Sequence, residues 1–460
     1  MSPTDFSTLK LDPRLLENLS SLGYQAMTPI QAQSLPAILA GKDVIAQGKT
    51  GSGKTAAFGL GLLNKLDTAN LSIQSLVLCP THELADQVAK EIRKLARNIP
   101  NTKVLTLCGG IQVGPQLKSL KHGAHIVVGT PGRIEELLLK GELEFSHLQT
   151  LVLDEADRML DMGFLPSLEG ILEELPTQRQ TLLLSATYPR KIRVLASEFM
   201  QSPEMIQAAT FHDSNSIEQH FYQVEDEKSR MKALRLLLQQ SHSQSCVVFC
   251  NTKHETHEVA EALAGYGFSV LALSGKLEQK DRTELLVQFA NKSVSVLVAT
   301  DVASRGLDIE SIDVVINYQL AKDTEVHIHR IGRTGRAGSK GRAYTLCSAE
   351  DEPQLKQLEK FLRQAIRFGS LPPVNLLDKP TKPAPMRTLQ IDGVKKYKVR
   401  PGDILGALTA GQDIDGKEVG KINLFEYCAY VAVQRDIVGL ALKKLSQGKM
   451  KGRSFRVRIL

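Results

Sequence analysis

Short apolar runs separated by longer amphipathic stretches dominate the chain up to about residue 350. Six runs lie before residue 190, for example SLVLCP and TLLLSAT, and five lie between residues 245 and 350, for example SCVVFCN and VSVLVAT. Strands that are apolar on both faces and alternate with helices are typical of parallel sheets covered by helices. The polar stretch AATFHDSNSIEQ, near residues 208–219, separates the two sets. The pattern therefore predicts two α/β domains, over residues 1–207 and 219–368.

A third pattern follows a proline-rich stretch. GSLPPVNLLDKPTKPAP, at 369–385, holds five prolines in 17 residues, and proline can continue neither a helix nor a central strand. We expect a semi-stiff linker there. Residues 386–460 then follow the order strand, helix, strand, strand, helix, strand, which is the βαββαβ order of ferredoxin-like α+β domains.

Charge separates this tail from the rest of the chain. Residues 381–460 hold 16 lysines and arginines against 7 acids, whereas the preceding 380 residues hold 41 against 43. A basic module suits a polyanionic partner. The amino terminus lacks a signal pattern and no run of about 18 apolar residues occurs, which predicts a cytoplasmic protein without a membrane partner. Six scattered cysteines predict reduced thiols and no metal other than magnesium.

GKTGSGKT, from Gly48 to Thr55, satisfies the phosphate-loop pattern between a strand and a helix. Lys54 would meet the β- and γ-phosphates of a nucleotide, and the Thr55 hydroxyl would ligate Mg²⁺. The alternative is an ordinary glycine-rich turn before a helix. The residues expected to surround the phosphates through their backbone are Gly48, Thr50, Gly51, Ser52 and Gly53.

In LVLDEADRML, acidic residues follow directly after the apolar run. Given a phosphate loop, Asp154 is placed to hold Mg²⁺, and Glu155 to orient and deprotonate the attacking water. The alternative is an acidic first helical turn that complements the helix dipole.

Arginines recur in HIHRIGRTGRAG. Arg333 and Arg336 lie three residues apart, so that on a helical turn they would face the same way. The second set of strands has no phosphate loop of its own, and these arginines are predicted to stabilise the γ-phosphate charge as arginine fingers. The alternative is a solvated basic face.

These motifs, with others in the same order, resemble the DEAD-box RNA helicases of superfamily two over about residues 1–350. The resemblance implies two RecA-like parallel-sheet domains with ATP, Mg²⁺ and RNA as ligands. The further motifs that carry it are GYQAMTPIQ (23–31), PTHELA (80–85), GG (109–110), TPGR (130–133), SAT (185–187), VFCNT (248–252), ATDVASRGLD (299–308) and HRIGRTGR (329–336).

The resemblance also implies roles for individual residues. Gln31 would read the adenine edge, with Phe6 and Tyr24 nearby, although a glutamine after Pro29 could also cap a helix. Gly306 and Asp308 would complete the nucleotide site. The coupling between ATP and RNA would fall to Ser185, Thr187, His329 and Arg330. The implied RNA contacts are Pro80, Thr81, Gly109, Gly110, Thr130, Gly132, Arg133, Gln279, Arg282, Thr300, Asp301 and Arg305.

Three motifs depart from the family pattern. His82 replaces the usual arginine and removes a permanent charge. Ser274 and Lys276 stand in place of the usual HGD, and Gly48 replaces a common alanine.

The tail is similar to the atypical RNA-recognition module of bacterial DEAD-box proteins that bind 23S ribosomal RNA, which implies an RRM-like fold. Only Ala429, Tyr430 and Val431 fit the usual base-stacking motif, so a structured hairpin suits this tail better than single strands. The alternative is that its basic residues only solubilise it. The basic residues expected on RNA are Lys395, Lys396, Arg453, Arg456 and Arg458.

The sequence thus predicts a monomeric, ATP-dependent RNA helicase that locally unwinds structured 23S ribosomal RNA, in pre-50S particles, during large-subunit assembly. The alternatives are a non-processive RNA clamp, a general RNA chaperone without ribosomal specificity, and a DNA translocase on the same core.

Overall fold

The computed structural model describes residues 4–48, 51–188, 190–207, 217–275, 277–301, 312–335, 340–425 and 428–460. Two compact units meet in the chain near residue 212. Within the described ranges, no helix has both the length and the apolarity needed to cross a bilayer. Six residues discussed above lie outside these ranges: Thr50, Lys276, Arg305, Gly306, Asp308 and Arg336.

The first unit is built on a parallel sheet, seven-stranded in its described part. The strand order is β3-β4-β2-β5-β6-β1-β7. Its strands are Val44–Gln47 (β1), Ser75–Leu78 (β2), Val104–Leu107 (β3), Ile126–Gly129 (β4), Thr150–Leu153 (β5), Gln180–Ser185 (β6) and Glu204–Gln207 (β7). β2, β4 and β5 are buried along their whole length. Helices cover both faces of the sheet, which explains why these strands are apolar on both faces.

The helices of the first unit start at recognisable signals. Thr81 caps one of them by accepting from the Leu84 backbone N–H at 3.3 Å, and Pro29 occupies the first position of another. The helices are Pro13–Ser21 (α1), Pro29–Leu39 (α2), Lys54–Asn64 (α3), His82–Leu95 (α4), Val113–Leu120 (α5), Pro131–Leu139 (α6), Ala156–Asp161 (α7), Leu165–Glu173 (α8) and Arg190–Phe199 (α9). The predicted motifs follow β1 to β6, so the parallel strands deliver them to one edge of the sheet.

The second unit begins with another parallel sheet, six-stranded among described residues, with the order β10-β11-β9-β12-β13-β8. Its strands are Ile217–Gln223 (β8), Cys246–Cys250 (β9), Val270–Leu273 (β10), Val296–Thr300 (β11), Val314–Asn317 (β12) and Gly341–Cys347 (β13). Its helices are Glu227–Ser241 (α10), Lys253–Gly265 (α11), Gln279–Ala290 (α12), Thr324–Ile331 (α13) and Glu352–Leu362 (α14).

The two parallel domains confirm the predicted fold class, but each holds a strand that the sequence pattern misses. β7 pairs with β1, and β8 pairs with β13 along seven residues. β8 starts at Ile217, so the end of the polar stretch 208–219 belongs to a strand that the sequence pattern does not show. The physical reason is its composition: IEQHFYQ has a polar, partly exposed face, unlike the fully apolar central strands.

The tail confirms the predicted βαββαβ order. Its antiparallel sheet has the order β15-β16-β14-β17 and packs on two helices. The elements are Met386–Asp392 (β14), Pro401–Thr409 (α15), Val419–Leu424 (β15), Cys428–Gln434 (β16), Val438–Gln447 (α16) and Val457–Ile459 (β17).

The open face of the tail sheet packs against the second RecA-like domain. Thr388, fully buried on β14, lies 2.7 Å from the Ser293 hydroxyl and accepts from Asn291 Nδ2 at 3.2 Å. Arg458 on β17 forms an ion pair with Glu284 of α12 at 2.8 Å. The tail is therefore docked, not suspended from a linker.

The proline-rich segment 369–385 is held on both sides. Gln239 Nε2 donates to the Lys379 carbonyl at 3.0 Å, and the Thr381 hydroxyl donates to the Gly267 carbonyl at 2.7 Å. Arg435 Nε of the tail donates to the Ala384 carbonyl at 2.6 Å. The segment expected to be a semi-stiff spacer lies along the domain surface, because its backbone carbonyls and the Thr381 hydroxyl form hydrogen bonds there.

Candidate nucleotide and RNA site

The phosphate loop ends in a left-handed turn. Gly53 has φ +97° and opens α3, and a side chain at this position would come within 2.6 Å of Gln31 Nε2. Glycine is therefore required here. Lys54 is buried beneath the loop and donates to the Gly48 carbonyl. Burial lowers the pKa of Lys54, although the nearby Asp154 and Glu155 carboxylates oppose this shift.

Gln31 joins the helix start to the phosphate loop. Its Oε1 accepts from the Thr28 backbone N–H at 2.9 Å, and its Nε2 donates to the Gly53 carbonyl at 3.1 Å. Thr28 in turn donates to the Ser52 carbonyl at 2.8 Å. The helix-capping alternative therefore describes part of this geometry, and an adenine contact stays a prediction. Phe6 is buried edge-to-face against Tyr24 at a centroid distance of 6.2 Å, so these two rings pack together as a pair.

Asp154 and Glu155 leave β5 side by side, directly next to the phosphate loop lysine. Glu155 has φ +51°, an uncommon backbone state for a residue with a side chain. Its carboxylate forms an ion pair with Arg158 at 2.6 Å, with both side chains at most 10% exposed. Burial, and then the Glu155 charge, raise the pKa of Asp154 to about 7. A cation at this point would favour the charged carboxylate.

Arg158 is a functional candidate that the sequence analysis missed. It stands three residues after Glu155 on α7 and fixes the orientation of the proposed catalytic carboxylate. The spacing of i and i+3 on a helix is a signal that could have found it.

A chain of hydrogen bonds joins the SAT motif to the phosphate loop. Asp157 Oδ2 accepts from the Thr187 backbone N–H at 3.0 Å and from its hydroxyl at 2.9 Å. The Ser185 hydroxyl donates to the Thr187 carbonyl at 2.5 Å. The Gly48 N–H donates to the Ser185 carbonyl at 3.0 Å. Ser185 and Thr187 thus lie between the acidic motif and the nucleotide loop.

The donor set fits ATP with magnesium. Thr55 and Asp154 would supply the hard oxygen ligands that Mg²⁺ prefers, and Lys54 would supply a buried cation for phosphate. When bound, Mg²⁺ neutralises charge on the phosphate oxygens.

The predicted RNA motifs of the first domain are fixed to one another. The Thr130 hydroxyl accepts from the Gly109 N–H at 3.1 Å, and Arg133 Nη2 donates to the Ile111 carbonyl at 3.0 Å. Arg133 also forms an ion pair with Glu136 at 2.9 Å and is 9% exposed. The structure thus places Arg133 as a support for the GG turn, whereas Thr130 and Gly109 stand at the strand ends.

Gln116, which the sequence analysis also missed, holds the strand before that turn. Its side-chain amide exchanges two hydrogen bonds with the backbone of Cys108, at 2.9 and 3.1 Å. Pro80 and Thr81 lead into α4, where His82 lies 3.4 Å from Asp86. The usual arginine would make the same i,i+4 pair with a permanent charge.

Arg330 is a buried side chain that joins several segments of the second domain through hydrogen bonds. It forms a two-pronged ion pair with Asp301 at 2.6 and 2.7 Å and donates to Asn251 Oδ1 and to the Gln319 carbonyl, each at 2.8 Å. Its side chain is 1% exposed. Asp301 and Arg330, predicted as RNA-contacting and coupling residues respectively, thus form one network with the residues that follow β9, β11 and β12.

The expectation that Arg333 lies on a helical turn is wrong. Helix α13 ends at Ile331 with Gly332 as its cap, and Arg333 follows in a turn, 5% exposed. Gly332 ends the helix, as the weak helix propensity of glycine favours. His329 stands in the last turn of α13.

Two predicted RNA residues of the second domain, Gln279 and Arg282, lie in the first turn of α12. Thr300 ends β11. Ser274, one of the departures, is buried and lies 3.3 Å from the exposed His257 of α11. The imidazole of His257 therefore lies beside position 274, where the family usually has a histidine.

The tail residues predicted on RNA fall into two groups. The Arg453 guanidinium lies 4.5 Å from the Tyr397 ring centroid, with Lys396 at 5.7 Å and exposed Arg456 close by in sequence. Arg458, by contrast, contacts Gln390 and Glu284 at the domain interface. We call Lys396, Tyr397, Arg453 and Arg456 the tail patch. The side chain of Lys395 lies outside the description.

Family comparisons agree with this division. The DEAD/DEAH box helicase family model matches residues 28–195, the helicase conserved C-terminal domain matches 229–338, and the DbpA RNA binding domain matches 388–459. The chain therefore belongs to the DEAD-box ATP-dependent RNA helicases, which are RNA-dependent ATPases.

Among its relatives, the chain is 51% identical to the ATP-dependent RNA helicase DbpA of Escherichia coli, covering 99% of this chain and 100% of that protein. It is thus a helicase of the DbpA type. Identity to the helicase CshA of Bacillus cereus is 43%, over 78% of this chain and 68% of that one. Saccharomyces cerevisiae Dbp5 bound to RNA and ADP BeF3 is similar in structure, with a TM-score of 0.71, 28% identity, and coverage of 80% and 96%.

Proposed function

We propose that this helicase locally unwinds structured 23S ribosomal RNA during assembly of the large ribosomal subunit, as a cytoplasmic monomer that uses Mg²⁺ with ATP. The observation that carries the ribosomal target is the tail, which matches the DbpA RNA binding domain and turns its sheet face away from solvent. Tyr430 and Gln390 on that face are 2% and 5% exposed. Single-stranded bases therefore have no stacking platform at these two described positions, and the exposed tail patch suits the backbone of a folded hairpin.

Charge and burial suggest a different role for each part of the chain. Residues around Asp154 and Lys54 would hold the nucleotide, and Glu155, oriented by Arg158, would accept a proton from the attacking water. The Asp157–Thr187 contact would transmit the nucleotide state to the RNA motifs at neighbouring strand ends. The docked tail would present the second domain to RNA that the tail patch has bound, which raises the local RNA concentration. Arg333 and Arg336 would supply charge to the γ-phosphate.

This proposal is preferred to an RNA clamp, which would not need a catalytic carboxylate. Glu155 and its buried partner Arg158 are both present. A general chaperone without ribosomal preference would not need a separate basic module.

Replacing Gln31 by alanine should relax nucleotide preference. The side chain contributes one donor and one acceptor, and both are lost, so discrimination of ATP over GTP should fall about tenfold or more. The measurement is the ratio of Kd values for the two nucleotides. Gln33→Ala, on the exposed side of the same helix, is the matched control and should keep the ratio. An unchanged ratio in Gln31→Ala would limit Gln31 to its helix-capping and loop contacts.

Removing charge from the tail patch should weaken RNA binding mainly at low salt. In the double variant Arg453→Gln, Arg456→Gln the slope of log K against log salt should fall by about 2, one for each lost phosphate contact. The control double variant Lys417→Gln, Lys443→Gln removes the same charge from exposed tail positions elsewhere. Equal slopes in the two double variants would show that only net charge matters and would refute the patch.

The ribosomal target itself is tested by crosslinking the protein to RNA in bacterial cells and sequencing the RNA bound to tail peptides. We expect 23S sequences, enriched in pre-50S fractions. Crosslinks spread evenly over messenger and ribosomal RNA would instead favour the general chaperone.

A further inference from the structure

A cavity of about 250 Å³ opens in the second unit between α10, the end of α11 and the proline-rich segment. Its lining includes Arg235, Gln239, Tyr266, Phe268 and Lys379. None of these residues belongs to a nucleotide or RNA motif described above. The cavity is therefore separate from the helicase site in sequence and in the elements that build it.

A stacked cation and aromatic ring form one wall. The Arg235 guanidinium carbon lies 3.5 Å from the centroid of the Tyr266 ring, which is close contact for a cation–π pair. Tyr266 is 47% exposed, so the pair is not a core contact. Arg235 Nε is shielded from solvent and has no hydrogen-bond partner among the described residues. A donor in that state is suited to an acceptor supplied from outside the chain.

The proline-rich segment builds the opposite wall. Gln239 and Gly267 hold the backbone of Lys379 and the hydroxyl of Thr381, as given above. Gly267 has φ +85°, and a Cβ there would lie 3.0 Å from the Thr381 hydroxyl, so the close approach depends on glycine. The cavity thus has two fixed sides.

The charge of the lining identifies the ligand class. Arg235 and Lys379 bring two cations, and no carboxylate residue is among the lining residues that the structure describes. The planar Arg–Tyr stack and Phe268 suit a flat ring, whereas the cations suit phosphate. We propose that this cavity binds one nucleotide unit, with the base against the Arg235–Tyr266 stack and the phosphate between Arg235 and Lys379. The nucleotide could belong to RNA or be free in solution.

Uridine 5′-monophosphate tests the site, because it lacks the adenine that the helicase site is expected to read. Binding to the full chain is followed by ligand-observed NMR, with the helicase site filled by ADP and Mg²⁺. Tyr266→Ala should weaken binding about tenfold or more through loss of stacking, while Tyr266→Phe should keep it. Inorganic phosphate alone should bind at least about tenfold more weakly than the nucleotide.

Three results would overturn the proposal: no binding of uridine 5′-monophosphate, equal binding by wild type and Tyr266→Ala, or equal binding of phosphate and nucleotide. The source is distinguished with an RNA that carries one 4-thiouridine. A photocrosslink to the peptide that contains Tyr266 assigns the site to RNA, and nucleotide binding without this crosslink assigns it to a free nucleotide.

The outcome is separable from the proposed helicase function. At saturating RNA, the rate of ATP hydrolysis should be unchanged in Tyr266→Ala, because no residue of the catalytic motifs is altered. A loss of hydrolysis in this variant would mean that Tyr266 supports the fold or the reaction, which would contradict a separate nucleotide site.

Discussion

Glu155→Gln should lower the rate of RNA-stimulated ATP hydrolysis by about 10²- to 10⁴-fold, the range expected when a general base is removed. ATP affinity should change little, because Lys54, Thr55 and Asp154 remain. The amide can still accept the hydrogen bond from Arg158 that the carboxylate accepts at 2.6 Å, so the fold should be retained. The measurements are single-turnover hydrolysis and nucleotide binding on the same preparation.

The matched control is Glu173→Gln, an exposed carboxylate on α8 of the same domain. Its hydrolysis rate should stay within about twofold of wild type, since surface changes of this kind have small effects. Hydrolysis at the wild-type rate in Glu155→Gln would remove Glu155 from the chemistry and leave it as the partner of Arg158.

Arg330→Met should destabilise the second domain by about 3 kcal/mol, because breaking a buried ion pair leaves polar groups without a partner. Asp301 would lose both prongs of its pair, and Asn251 Oδ1 and the Gln319 carbonyl would each lose a donor. The corresponding calorimetric transition should fall by about 6–12 °C for a unit of this size.

Arg367→Gln, an exposed arginine of the same unit, provides the comparison and should shift the transition by less than about 2 °C. If Arg330→Met melted at the wild-type temperature while unwinding was lost, Arg330 would act in coupling alone and its network would not support the fold.

The parallel sheets could be predicted because their central strands are apolar on both faces. Strands such as Thr150–Leu153 are buried at every position. Their apolar composition can be recognised in the sequence without knowing which strands pair. Edge strand β8 could not be predicted in the same way, since its exposed polar face makes IEQHFYQ resemble a loop. The βαββαβ tail was predictable from local periodicity alone, because each of its elements buries one face.

Much of the candidate site follows from local motifs, because most of these motifs sit at the end of one strand. Contacts between distant segments do not follow from them. Arg458 lies 174 residues from Glu284, and its basic charge alone favoured an RNA contact instead of a domain interface. Arg330 likewise donates to five acceptor atoms from three other segments. Such partners are set by tertiary packing, which spacing along the chain does not encode.

The central claim is that the tail selects ribosomal RNA for a helicase core that hydrolyses ATP. It is tested most directly by kcat/KM for ATPase stimulation by a 23S hairpin fragment and by unstructured RNA of equal length. Wild type should prefer the hairpin by about tenfold or more, a free-energy difference of about 1.4 kcal/mol. In Arg453→Gln, Arg456→Gln this preference should largely disappear while maximal hydrolysis on unstructured RNA persists. Equal stimulation of wild type by both RNAs would contradict the account.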